Sequence, residues 1–195
     1  MNKIRFFTLI EIIVAVALLA LLIGIAASSY RAVHDRALET RSRAMLENLR
    51  LAIEDIHDRL GFLPGTNGFE TITVTQVNGI PVRFAFGTSG SPGSVLTPAE
   101  PGVPPTAANR AYELLIKELE LPTLLSRLNS SGQLTDNWGT PIYYSGPGKI
   151  NVAAFDLVSA GGDILFGKDK AALPPETEDA YRQDGKMLCD DLVFF

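Results

Sequence analysis

The chain is short of the residues that usually build a catalytic or metal centre. One cysteine, Cys189, stands in 195 residues, so no internal disulfide can form. The only two histidines, His34 and His57, lie too far apart along one helical stretch for zinc-ligand spacing. No nucleophile elbow is present, and Ser159-Ala160-Gly161-Gly162 lacks the lysine of a phosphate-binding loop. These absences exclude the common enzyme classes, and the chain reads as a non-enzyme. A basic excess is also missing: 17 Lys and Arg stand against 22 Asp and Glu, a net charge of −5. That balance gives nucleic acid no electrostatic footprint. No internal repeat is apparent, and Asn129-Ser130-Ser131 matches the glycosylation pattern at a length that recurs by chance.

What is abundant is apolar residues at the N-terminus. A basic leader, Met1 to Phe6 with Lys3 and Arg5, is followed by an almost unbroken apolar run to Ala27. Roughly fourteen Leu, Ile, Val or Phe fall between Phe6 and Ile25, each contributing about −0.3 to −0.6 kcal/mol to insertion at a helix centre. The single charge within the run, Glu11, costs about +2.5 to +3.5 kcal/mol at the centre and less near an end. Insertion therefore wins by a few kcal/mol. About 20 residues at 1.5 Å each span a hydrocarbon core of roughly 30 Å. The flanking cations and the short leader favour a cytoplasmic N-terminus and an exported C-terminal part. A cleavable signal ending at Ala26 or Ala27 is the alternative. Its apolar region would be unusually long and would carry a carboxylate.

The helix is expected to continue past the apolar run. From Tyr30 to Leu60 there is no Gly or Pro. Val33, Ala37, Leu38, Met45, Leu49, Ala52, Ile53, Ile56 and Leu60 recur at the three-and-four spacing of one helical face. The other face carries interleaved acids and arginines suited to i to i+4 pairs. Gly61 and Pro64 form a stop. The rest predicts an α+β domain. Thr71 to Val77 alternates with period two, Asn78-Gly79 marks a turn, and Pro81 to Phe86 completes a β-hairpin. Gly87 to Pro105 reads as an exposed loop. Ala107 to Leu128 reads as helix, split in two at Pro122. Ile142 to Tyr144 and Val152 to Val158 read as short strands, with Trp138 and the tyrosines covering the sheet where it meets the long helix. Cys189 reads as a small buried residue.

Phe7-Thr8-Leu9-Ile10-Glu11 resembles the mature N-terminus of the type IV pilin and type II secretion pseudopilin family. The resemblance implies cleavage by a prepilin peptidase between Phe6 and Phe7, and methylation of the new amino group on Phe7. It implies that Glu11 pairs with that amino group on a neighbouring subunit during assembly. A lone carboxylate in lipid is costly, and a cation from the next subunit offsets it. The family prefers Gly before the cut, where this chain has Phe6, and commonly has a Pro near the end of the apolar run, where this chain has none.

A second resemblance lies in the C-terminal third. Asp136-Asn137-Trp138-Gly139-Thr140-Pro141-Ile142-Tyr143-Tyr144 and Phe155-Asp156-Leu157-Val158-Ser159-Ala160-Gly161-Gly162-Asp163 resemble two segments of the G-type major pseudopilin. In that group the loop after the second strand binds calcium. The resemblance implies Ca²⁺ ligands at the Leu157 carbonyl, the Ser159 oxygen and the Asp163 carboxylate, with Asp190 and Asp191 as further carboxylates and Glu178 or Asp179 as substitutes. Calcium accepts six to eight such oxygens. A solvated acidic loop with Gly turns is the competing reading.

The family resemblance covers roughly residues 7–30 and 136–163. It implies a leader at 1–6, a transmembrane helix at 7–29 and a periplasmic pilin-like domain at 30–195, with an inserted region at 69–133. The whole is a long N-terminal helix packed on a small antiparallel sheet. As a function it implies a structural subunit of a type II secretion pseudopilus. Such a subunit is single-pass in the inner membrane and assembles with itself, with other pseudopilins and with the secretion platform, in contact with membrane lipid. A minor pseudopilin, a type IV pilin, or a non-assembling membrane protein with an exported binding domain are the alternatives.

Overall fold

A computed structural model describes residues 9–87, 95–184, 186–187, 189 and 191–195, except for the side chains at 26–29 and 32. It divides into two compact units, one ending at Leu38 and the other comprising Glu39–Phe195. Helix α1 is Leu9–Leu60.

Among the described residues of the first unit, the large apolar side chains of α1 lie exposed as far as Val33. From Leu9 to Ile25 the large apolar side chains are between 52% and 79% exposed. Among the described residues no helix is long and apolar enough to cross a membrane. The described apolar stretch stops at Ile25, next to side chains outside the description.

The second unit is α+β, a helix packed on an antiparallel sheet. Its strands are β1 (Glu70–Val77), β2 (Ile80–Phe86), β3 (Val95–Leu96), β4 (Tyr143–Ser145), β5 (Asp156–Ser159) and β8 (Leu192–Phe194). They pair in the order β3-β2-β1-β4-β5-β8, antiparallel throughout. A separate ribbon joins β6 (Arg182–Gln183) to β7 (Lys186–Met187). The helices here are the C-terminal part of α1, α2 (Ala107–Glu118) and α3 (Leu121–Leu125).

The period of two along each strand sorts side chains into two cores. Tyr144 and Leu157 join the larger one, with Ile72, Phe84 and Phe86 from the sheet and Met45, Leu46, Leu49, Ala52, Ile53 and Ile56 from α1. Tyr143 and Val158 turn the other way, toward Phe166, Ala180 and Tyr181. The buried face of α1 starts at Ser42, later than the sequence spacing suggests, because Val33 is 66% exposed. The opposite face is paired as expected, through Glu39–Arg43, Glu47–Arg50–Glu54 and Asp55–Arg59. Gly61 ends the helix at φ 74°, its amide donating to the His57 carbonyl at 2.8 Å.

The hairpin forms as the sequence indicates. Asn78 and Gly79 both take positive φ, 52° and 75°, the geometry that matches strand twist in a two-residue turn. Pro81 is accommodated where the register shifts near Thr75 and Gln76, since it has no amide to give a ladder.

Three expectations need correction. The loop expected over Gly87 to Pro105 contains a strand, β3. Its position is fixed by Asn109, whose Nδ2 donates to the carbonyls of Thr97 and Pro98 at 2.9 and 3.0 Å. Asn109 also closes a capping box with Thr106 at the start of α2. Pro122 does not separate the two helices. The break falls at Leu119 and Glu120, where Glu120 takes φ 35°, and Pro122 lies in the first turn of α3, where a missing amide costs nothing. The strand expected over Val152 to Val158 begins only at Asp156, because the preceding residues wrap round that side chain.

Candidate functional site

Two groups of residues stand out, one in each unit. In the first, Glu11 is the only ionisable residue of the described apolar stretch 9–25, and it lies exposed on α1 among Ile10, Val14, Ala15 and Leu18. Phe6 and Phe7, the expected processing pair, lie outside the described residues.

The second group centres on two buried aspartates. Asp136 opens the Asp-Asn-Trp-Gly-Thr-Pro segment and is 2% exposed. Its Oδ1 accepts the amides of Trp138 and Thr140, each at 2.9 Å, closing a tight turn in which Gly139 takes φ 88°. Its Oδ2 accepts the Ser159 hydroxyl at 2.6 Å, which ties the turn to the end of β5. The next residue ties it to α1: the Asn137 amide and Nδ2 donate to the buried Ser42 hydroxyl at 2.9 and 2.8 Å. This turn thus holds the long helix and the sheet together. Trp138, expected to be a core anchor, is half-buried against the larger core.

Asp156 organises the opposite end of β4 and β5. It is fully buried, and its two oxygens accept three successive amides, from Lys149 at 2.5 Å, Ile150 at 2.8 Å and Asn151 at 2.9 Å. Gly148 is required inside this wrap, because a Cβ there would lie 2.7 Å from Asp156 Oδ1. Nearby, the Tyr144 hydroxyl donates to the Pro64 carbonyl at 2.9 Å, and burial holds that phenol above its usual range.

Burial also raises the carboxyl pKa of Asp136 from 3.8, against the opposing pull of its hydrogen bonds from Ser159, Thr140, Trp138 and Gly139. A carboxyl held above its unfolded value stabilises the fold fully below about 3.8, and that contribution is lost as pH rises through the folded value. Asp136→Asn keeps an oxygen for the two amides and can donate to a Ser159 hydroxyl that turns round. It is expected to cost less than about 1 kcal/mol at neutral pH. Parent stability should gain on this variant as pH falls toward about 4. Denaturant midpoints of the two proteins across that range check it.

The residues expected to bind calcium are not brought to one point as free donors. Leu157 lies inside β5 between two paired strands. The Ser159 hydroxyl is spent on Asp136. The Asp163 carboxylate accepts the Leu165 amide at 3.0 Å and pairs with the Lys170 ammonium at 2.9 Å. Asp191 is 4% exposed and accepts the Gly167 amide at 2.6 Å, while Asp190 lies outside the described residues. Glu178 pairs with Arg182 at 3.6 Å. Among the described residues no three acidic, His or Cys side chains gather as a metal would need. Cys189 is half-buried rather than buried, its thiol 3.9 Å from the Tyr181 carbonyl.

Sequence reasoning quoted both aspartates only as parts of motifs and missed that they hold loops. An Asp shortly before a turn glycine is a signal for Asp136. For Asp156 the only hint is a carboxylate opening an otherwise apolar strand. No family model, curated protein or solved structure matches the chain.

Proposed function

We propose that the chain is a pilin-like filament subunit, closest in kind to the major subunit of a type II secretion pseudopilus. The observation that carries the proposal is Glu11, a single carboxylate near the start of an apolar helix whose side chains are exposed. Exposed apolar side chains over the whole stretch 9–25 need a non-aqueous partner. Those residues reach about 26 Å at 1.5 Å per residue, close to a hydrocarbon core of roughly 30 Å. In sequence the apolar run extends further on both sides, from Phe6 to Ala27.

The second unit supports the same reading. The part of α1 from Ser42 onward packs on an antiparallel sheet and is pinned there by the turn at Asp136. A subunit built this way would wait in the inner membrane with its sheet domain in the periplasm. It would be cut before Phe7, then stack through α1 into a filament that moves exported proteins. Neighbouring α1 helices would cover the apolar faces, and the amino group of one subunit would meet Glu11 of the next. The test is assembly itself: filaments sheared from cells that make the chain should contain it as the bulk component. A chain found only as dispersed membrane protein would contradict the proposal.

A further inference from the structure

A cleft in the second unit combines apolar side chains with arginines. It has a volume of about 320 Å³ and lies between α1, the end of α2 and α3. Met45, Leu119 and Leu124 supply its buried apolar surface, and Arg41 and Arg127 line it as well. Arg127 is fixed at its backbone, where its carbonyl accepts both the amide and the hydroxyl of Thr135 at 2.8 Å. Its guanidinium Nε is buried and has no hydrogen-bond partner. Among the described residues neither arginine forms an ion pair. A buried donor left unmet is costly, so the cleft is unfinished as it stands. Glu118 and Glu120 also line it, so attraction for carboxylates is confined to the two arginines.

Resting on the filament reading, we propose that this cleft receives residues 173–179 of a second copy. That segment, Leu-Pro-Pro-Glu-Thr-Glu-Asp, offers the matching chemistry. Leu173 is 64% exposed. The two prolines that follow stiffen the segment and reduce the entropy lost on docking. The Tyr181 hydroxyl braces it by donating to the Pro175 carbonyl at 3.1 Å. Its acids are weakly held at home: Glu176 meets Lys149 at 3.8 Å, Glu178 meets Arg182 at 3.6 Å, and Asp179 forms no ion pair among the described residues. The cleft and the segment are different patches of one chain. Contact between them is head-to-tail, the kind that propagates as an open helical filament rather than closing as a dimer.

The test reverses charge on each side in the full-length chain and measures pelleted filament. Arg127→Glu is expected to lower assembly about tenfold or more, as loss of a buried charged contact does. The double change Glu176→Lys with Asp179→Lys, on an exposed loop that tolerates it, is expected to do the same even if Arg127→Glu harms folding. Combining all three should restore filaments. Wild-type yield from the loop variant would overturn the cleft assignment, and so would no recovery in the combination when Arg127→Glu alone unfolds at the parent's denaturant midpoint. Filaments that depend on Glu11 yet ignore these reversals would overturn it alone. No filaments from the parent chain would overturn the filament reading with it.

Discussion

Glu11→Gln is expected to leave the chain in the membrane and to abolish its assembly. The carboxylate opposes insertion by at most about 2.5 to 3.5 kcal/mol, so removing it cannot weaken membrane retention. Assembly responds in the other direction. In the proposed filament a cation of the adjacent subunit would offset the charge. Its loss strands that cation in an apolar surrounding at about 3 to 5 kcal/mol, more than a hundredfold in an association constant. Quantitative blotting of membrane and sheared filament fractions separates the two effects. Equal filament yield from the variant would mean that Glu11 sets neither register nor affinity. Loss from both fractions would mean that it acts on folding or insertion instead.

Asp156→Ala is expected to be the most damaging single change in the second unit. Three amides from a part-buried loop converge on this fully buried carboxylate. Hydrogen bonds to a charged group contribute about 1.5 to 3 kcal/mol each, so losing three of them, with water replacing part, is expected to cost about 3 to 5 kcal/mol. That is a large share of the stability of an ordinary domain. Asparagine should not rescue it. Each Asp156 oxygen accepts at least one amide, and an Asn side chain would present its NH₂ group to one of them. The contrast with Asp136 is sharp in chemical terms, because there one of the two oxygens faces a hydroxyl that can reverse its role. Chemical denaturation should therefore place Asp136→Asn near the parent and Asp156→Asn well below it.

Local rules carry the parts of the fold that periodicity and turn chemistry decide. The hairpin and its Asn78-Gly79 turn, the stop at Gly61 and the charge pairs on α1 were all legible, because each depends on residues within a few positions. Elements held by distant partners were not. Strand β3 is only two residues long and exists because Asn109, on another element, holds the chain just beyond it. The start of β5 is set by a side chain that gathers the amides of the preceding loop, which no alternation of apolar residues reports. The break before α3 falls at Glu120 because Pro122 suits a first helical turn better than the space between helices.

The candidate functional residues divide the same way. Glu11 is visible in sequence because a single charge in an apolar run is costly to insert and stands out against its neighbours. The grip of the Asp136 turn on Ser42 was not visible, since 95 positions separate Asn137 from that serine. The metal ligands inferred from resemblance rest on residue type alone. Their residue types are suitable, but Ser159 and Asp163 are engaged by Asp136 and Lys170, groups that residue type alone does not reveal.

The central claim is that this chain is processed and assembled like a pilin, and its N-terminus tests that most directly. Mass spectrometry of the protein from its native membrane should find a first residue of Phe7 with a methylated amino group, despite Phe6 before the cut. A first residue following Ala26 or Ala27 would mean that the apolar run is a discarded signal. The filament account would then be wrong.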